Sequence, residues 1–171
     1  MHFAPSTPDD LGRIVDLFRQ AIKFQLSLGV NSWRSVNQDL LASEIREQLH
    51  WKIVDEGEIA CFFSIAFTDA LVWDVRDADP SLYLHRIITN PAFRGRGYVT
   101  HITAWAEGYG RAAGKRYIRL DTHVENQRLN QLYQDCGYTF CGVKVFDDDS
   151  DLRVPRHYLG AGLSLYQRAI H

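Results

Sequence analysis

Pro91-Ala92-Phe93-Arg94-Gly95-Arg96-Gly97-Tyr98-Val99-Thr100 is the stretch on whose reading the rest of the chain depends. An apolar run from Tyr83 to Thr89 enters it, and a segment with helical spacing leaves it. A strand, a short Arg/Gly loop and a helix N-terminus together make a phosphate cradle. Glycines let the backbone curl until its N–H groups converge. The first helical turn adds N–H groups without intrahelical partners and the positive end of the dipole. Arg94 and Arg96 add charge, and a guanidinium matches phosphate geometry. Arg beside Gly is equally the mark of a plain surface turn, so the flanking elements decide between the two.

Upstream, residues 2–5 suit a short edge strand. Ser6-Thr7-Pro8-Asp9-Asp10 then reads as a helix start, with Thr7 as cap, Pro8 in the first turn and acids near the positive end. Leu11, Ile14, Val15, Phe18, Ala21 and Ile22 recur at three- and four-residue spacing, one buried face that Gly29 ends. After a loop carrying Trp33, a second helix is predicted from Gln38 to Leu49. Trp51 to Val54 and Ile59 to Phe67 read as strands joined by Asp55-Glu56-Gly57-Glu58. The second is apolar enough to be buried on both faces. Thr68 to Ser81, rich in Asp, reads as a loop, with a short strand at Leu71 to Trp73 as an option.

Downstream, Ile102, Trp105, Ala106, Tyr109, Ala112 and Ala113 form a helical stripe that Gly114 caps. Tyr117 to Thr122 is a predicted strand with Ile118 and Leu120 on one face and Arg119 and Asp121 on the other. Asn126 begins a helix on which Leu129, Leu132, Tyr133 and Cys136 share a face before Gly137 stops it. Thr139 to Phe146 and Leu163 to Arg168 are predicted strands, with the acidic Asp147–Asp151 run as a solvated loop between them. Strands with helices packed across them indicate a mixed α/β fold, one domain over residues 1–171.

Composition narrows the function. The 171 residues suit one domain with a sizeable core, and 46% hydrophobic with 23% charged residues is a soluble globular balance. A net charge of −2 argues against a general nucleic-acid binder, so any basic site is local, as the Arg94/Arg96 loop is. Cys61, Cys136 and Cys141 lack metal-ligand spacing, which favours reduced core thiols and no metal. No apolar run is long enough for a signal peptide or a membrane span, so the cytoplasm is the expected location.

Leu84-His85-Arg86-Ile87-Ile88-Thr89-Asn90-Pro91-Ala92-Phe93-Arg94-Gly95-Arg96-Gly97 resembles the acetyl-CoA-binding motif of the GCN5-related N-acetyltransferases, whose core is Arg/Gln-x-x-Gly-x-Gly/Ala. Leu120-Asp121-Thr122, then Asn126 to Tyr133 and Cys136-Gly137-Tyr138, resemble that family's later Asn…Tyr-x-x-x-Gly-Phe/Tyr segment. The two matches lie at the family's separation and on its elements. The sequence departs from the pattern at Val99, where the family has Gly or Ala.

The resemblance implies a central mixed, mostly antiparallel sheet, splayed between the motif strand and the next and flanked by helices. It implies acetyl-CoA as donor, its pantetheine arm along Ile87, Ile88 and Thr89. Its pyrophosphate would sit on the loop formed by Arg94, Gly95, Arg96, Gly97, Tyr98 and Val99, with the Thr100 hydroxyl at hand. It implies direct attack by a primary amine of a small molecule or peptide, in a monomer or homodimer. Tyr133 matches the phenol that protonates the departing thiolate, although its place on an apolar stripe also suits a core tyrosine. Asn126 is a cofactor contact, a helix cap, or both. For the base, Asp121, His85 and ordered water stand as alternatives, with His123 further out. Trp33 either walls the acceptor pocket or packs. A domain that only senses acyl-CoA, or a transferase of longer acyl groups, are the rival readings. A dinucleotide fold fails for want of a third glycine after a first strand.

Overall fold

The helix start at Thr7 forms as its sequence dictates: the Thr7 N–H and hydroxyl both donate to Asp10 Oδ2, at 2.7 and 2.9 Å. The computed structural model describes residues 1–29, 33–146, 154, 158–160 and 162–171. In chain order these form β1 (His2–Pro5), α1 (Leu11–Ser27), α2 (Gln38–Arg46), β2 (His50–Asp55), β3 (Glu58–Ala66) and α3 (Ala70–Trp73). There follow β4 (Ser81–Thr89), α4 (Tyr98–Ala112), β5 (Tyr117–His123), α5 (Gln127–Asp135), β6 (Thr139–Val145) and β7 (Gly162–Ala169). The architecture is mixed α/β with mostly antiparallel pairing. No helix among the described residues is long and apolar enough to cross a membrane.

The chain divides into two bodies. The first, Met1–Ile65 with Leu84–Tyr98, holds strands in the order β1-β2-β3-β4, antiparallel from β1 to β3. Its core joins Ile14 and Phe18 of α1 to Leu41 and Ile45 of α2, over Phe62 of β3 and Ile88 of β4. Residues Ile59 to Ile65 are all buried, as a run that is apolar but for Ser64 leads one to expect. Glu56 and Gly57 turn β2 into β3 with φ of 53° and 80°, which is why Gly stands there.

The second body, Ala66–Tyr83 with Val99–His171, holds strands in the order β4-β5-β7-β6. β4 and β5 run parallel through three rungs, Ser81↔Tyr117, Leu82↔Ile118 and Tyr83↔Arg119. β7 pairs antiparallel with both β5 and β6. The core here gathers Val72, Trp73, Tyr83, Leu163 and Leu165. Gly110 of α4 sits where a Cβ would lie 2.6 Å from Ile170 Cδ1, so this helix exchanges propensity for close approach.

Some expectations need correction. Leu71–Trp73 is helical, because the Asp69 carbonyl accepts the N–H groups of Val72 and Trp73 and starts a turn. A three-residue apolar run has no period by which to tell strand from helix. α2 stops at Arg46, since Gln48 adopts φ of 57° and turns the chain before Leu49. Arg119 does not lie on an open polar face: it is 1% exposed. Its guanidinium donates to Asp79 Oδ2 (2.7 Å), Gln167 Oε1 (2.8 Å), Tyr83 Oη (3.3 Å) and the Arg76 carbonyl. Of the cysteines only Cys61 is a core thiol, pushed up to about 12 by burial; Cys136 and Cys141 are half-buried, and all three are free. Asp147–Asp151 lies outside the described residues.

Candidate functional site

The loop after β4 is built from its first residue, Asn90. The buried Asn90 amide donates from its backbone to the Ala60 carbonyl (2.8 Å) and from Nδ2 to that of Ile59 (3.0 Å). Asn90 Oδ1 accepts from Ala92 N–H (3.1 Å), which starts a single turn of 3₁₀ helix over Pro91–Phe93. The chain then passes through Gly95 and Gly97 at φ of 82° and 70°, values that L side chains avoid. An added Cβ at either glycine would meet nothing within 4 Å. Helix α4 begins directly after the loop, at Tyr98.

The two arginines of this loop differ. Arg96 pairs with Glu56 Oε1 (2.6 Å) and Asp55 Oδ2 (3.3 Å), while Tyr98 donates to Asp55 Oδ2 at 2.7 Å. These carboxylates raise the Arg96 pKa and, in turn, the hydrogen bond from Tyr98 holds the Asp55 carboxyl below its usual range. Arg96 thereby ties the loop to the β2–β3 turn. Arg94 is exposed, its Cζ 3.7 Å above the Phe24 ring of α1. Val99 is half-buried, and its carbonyl accepts the Thr103 hydroxyl at 2.9 Å. Thr100 is exposed, with Oγ1 3.6 Å from Cys136 Sγ.

Strand β4 carries its own irregularity. Arg86 adopts φ of 52°, which breaks the alternation of side chains between His85 and Ile87. Its guanidinium pairs with Glu44 Oε1 on α2, and Glu44 Oε2 accepts from Ser64 Oγ at 2.7 Å. Ile88 points into the core, and Thr89 Oγ1 lies 3.6 Å from Cys61 Sγ. Burial, and then the charge of Arg86, push His85 down to about 3, so its imidazole is neutral at ordinary pH and a weak base. Trp33 packs edge-on against Phe18, ring centroids 4.9 Å apart, as a partly buried flank of the first core.

In the second body, Asp121 of β5 is half-buried and accepts from Tyr158 Oη at 3.4 Å. Of the arginines that the sequence offered it, Arg119 pairs with Asp79 and Arg86 with Glu44. Asp69, just before α3, brings a carboxylate oxygen within 4.8 Å of Asp121. Burial, then Asp121, push Asp69 up to about 7; the Val72 N–H opposes this and Asp77 adds to it. His123 is pushed down by burial and meets the Tyr158 ring edge-on at 6.1 Å. Asn126 caps α5, its Oδ1 accepting from Leu129 N–H at 3.1 Å. Tyr133 is 5% exposed, between the rings of Tyr166 (5.8 Å) and Tyr138 (6.0 Å).

A cavity of about 270 Å³ opens between α4 and the end of α5, lined by Thr100, Thr103, Glu107, Cys136, Gly137 and Arg168. Arg168 Nη1 donates to the Cys136 carbonyl at 2.9 Å, and the guanidinium pairs with Glu107. That places a cation on the negative end of α5. Gly137 has φ of 81°, so the backbone favours glycine there, and a Cβ, 2.2 Å from Arg168 Nη1, would push the guanidinium from its place.

Residues 19–138 match the model of the Acetyltransferase (GNAT) family. The chain belongs to this family. It is accordingly an acyltransferase, and its family uses acetyl-CoA. An uncharacterized N-acetyltransferase of Bacillus subtilis, YesJ, is 25% identical over 147 residues, which are 81% of this chain and 82% of that protein. An acetyltransferase of the GNAT family from Listeria monocytogenes shares the fold with a TM-score of 0.77 at 24% identity, over 98% of this chain and 94% of its own. The protein yncA of Salmonella typhimurium, solved with its cofactor acetyl-CoA, aligns over 100% of this chain and 94% of its own. Its TM-score is 0.70 at 15% identity.

Asp55, Glu44 and Asp69 were not among the residues that the sequence singles out. Asp55 sits in a turn that is predictable, but its two partners lie about 40 positions on, with no local sign of the contact. Asp69 is hidden by its setting, one acid in an Asp-rich loop.

Proposed function

We propose that the chain moves an acetyl group from acetyl-CoA to a primary amine of a small molecule or peptide, working as one acetyltransferase domain. The observation that carries the reading is the loop with left-handed Gly95 and Gly97, pinned by Asn90 and Asp55 at the start of α4, in a chain of this family. The acetyl-CoA bound by yncA supports it. In this reading the pyrophosphate rests on the N–H groups from Arg94 to Val99 and the first turn of α4. The Arg94 side chain gives a cation, while Arg96 is kept by its carboxylates as the loop's anchor. The pantetheine arm follows Ile87 to Thr89 of β4.

The amine, once neutral, attacks the thioester carbonyl: the C–N bond forms, the C–S bond breaks, and its electron pair goes to sulfur. Tyr133 gives the thiolate a proton. Its burial among Tyr138 and Tyr166 suits this role, because packed rings hold the phenol in place. Asp121 is the side chain we assign to the amine's proton, ahead of His85, which burial has made a weak base. Isothermal titration with acetyl-CoA and with NAD, followed by thiol release against a panel of amines and peptides, tests the reading. Binding of acetyl-CoA alone with amine-dependent thiol release is expected. Binding of NAD without acetyl-CoA would refute it.

A further inference from the structure

Carboxylates hold Arg96, whereas an aromatic ring holds Arg94. The Arg94 Cζ stands 3.7 Å from the centre of the Phe24 ring. At that height the guanidinium lies flat on the ring, because on edge it would drive a nitrogen inside van der Waals contact. A flat guanidinium gives its face to the ring and keeps its N–H donors in its own plane, pointing sideways. Both residues belong to the first body.

The ring has a firm support. Phe24 begins the last turn of α1, two turns beyond Leu17, which is 1% exposed. Its carbonyl accepts the Ser27 hydroxyl at 2.7 Å, and the Gln25 and Leu26 carbonyls accept the Leu28 and Gly29 N–H groups at 3.1 Å. The turn that carries the ring is thus closed by its own hydrogen bonds, while Ile14, Val15, Phe18 and Ile22 seat the helix in the core. Phe24 itself is 39% exposed, and the Arg94 side chain is exposed. The negative end of the α1 dipole favours a cation at this turn. A free arginine that settled only when a phosphate arrived would lose its rotamer freedom at that moment. On the ring, part of that loss has already been incurred before the ligand binds.

We propose that Phe24 is a positioning residue for acetyl-CoA, its ring holding Arg94 flat and ready so that the guanidinium edge meets a cofactor phosphate. The inference rests on the acetyl-transfer reading. The role needs an aromatic face and not bulk alone: leucine fills similar space without a π-system, and tyrosine keeps one. It belongs to binding of the phosphates, so the chemical step and the pantetheine arm do not depend on it.

Isothermal titration of acetyl-CoA into the full chain tests the role as a cycle over Phe24→Leu, Arg94→Gln and the double variant. Phe24→Leu should weaken the Kd by about two- to fivefold, the range of an exposed cation–π contact. Phe24→Tyr should keep the parent value. On the Arg94→Gln background, Phe24→Leu should change the Kd no further. With S-acetylpantetheine as donor, which has no phosphate, and an amine found by thiol release, the parent and Phe24→Leu should share one kcat/KM. An unchanged Kd in Phe24→Leu, or an equal loss with and without Arg94, would overturn the role and leave acetyl transfer standing. A parent chain that binds no acetyl-CoA would overturn the role together with the reading beneath it. In the ligand-free parent, the assigned ¹H–¹⁵N signal of Arg94 Nε–H should be moved upfield by the ring current of Phe24. A signal at its ordinary position would overturn the stack, and that result needs no variant to fold.

Discussion

Replacing Gly97 by Ala asks the loop two separate questions. Gly97 has φ of 70°, and its Cβ position meets nothing within 4 Å. In the free protein the substitution therefore carries torsional strain and no clash. A left-handed L residue costs roughly 1–2 kcal/mol, and at about 2–4 °C per kcal/mol for a chain of this size the Tm should fall by about 2–8 °C. That strain is present with and without ligand, so it cancels from the binding free energy. Any loss of acetyl-CoA affinity must come from what the new methyl does in the cradle. If the pyrophosphate lies against the loop, the methyl occupies its space and displaces the converging N–H groups. The expected result is a Kd for acetyl-CoA weakened by about tenfold or more, equivalent to about 1.4 kcal/mol. Differential scanning fluorimetry and isothermal titration on the same samples measure both quantities. A Tm drop of the stated size with a Kd within about twofold of the parent would refute the reasoning, because the glycine would then serve the turn alone.

Arg119→Met should destabilise the protein by about 3–5 kcal/mol in urea unfolding, since it strands the partners of a fully buried cation. Asp79→Asn, at a half-exposed partner, should cost much less. Tyr133→Phe should lower amine-dependent thiol release by about 10²-fold or more while acetyl-CoA affinity is kept; equal turnover would remove the acid role. His50, fully buried with Nδ1 2.8 Å from Ser6 Oγ, is pushed down to about 4, by burial first and then by Arg86, against the pull of Asp10. Because the unfolded chain binds that proton more readily, its contribution is complete above pH 6.5 and falls as the pH drops toward 4, by about 3 kcal/mol. Denaturant titrations at pH 7 and pH 4.5 should show a smaller pH dependence in His50→Gln than in the parent.

Much of the first body could be read in advance, for local reasons. The Thr7–Asp10 cap, the stripe from Ile14 to Ile22 and the Glu56-Gly57 turn each depend on residues within a few positions of one another, so short windows hold the whole signal. The same is true of Gly95 and Gly97, whose left-handed backbone is a property of those two residues. Leu71–Trp73 was not legible, since its helical turn hangs on an Asp69 carbonyl and on a buried guanidinium 4.7 Å from the Trp73 ring.

By itself, then, the sequence determined the order of the elements, the loop that opens α4, and the family to which the chain belongs. Periodicity, caps and left-handed glycines are short-range constraints that survive without knowledge of the fold. The tertiary structure decided which charges meet. It commits Arg96 to Asp55 and Glu56, sends Arg119 to Asp79 rather than to Asp121, makes His85 neutral, and sets Asp69 beside Asp121. Those outcomes depend on burial and on neighbours some 40 or 50 positions away. A side chain's protonation and its partners follow from the field and solvent around it, and that surrounding exists only once the chain has folded.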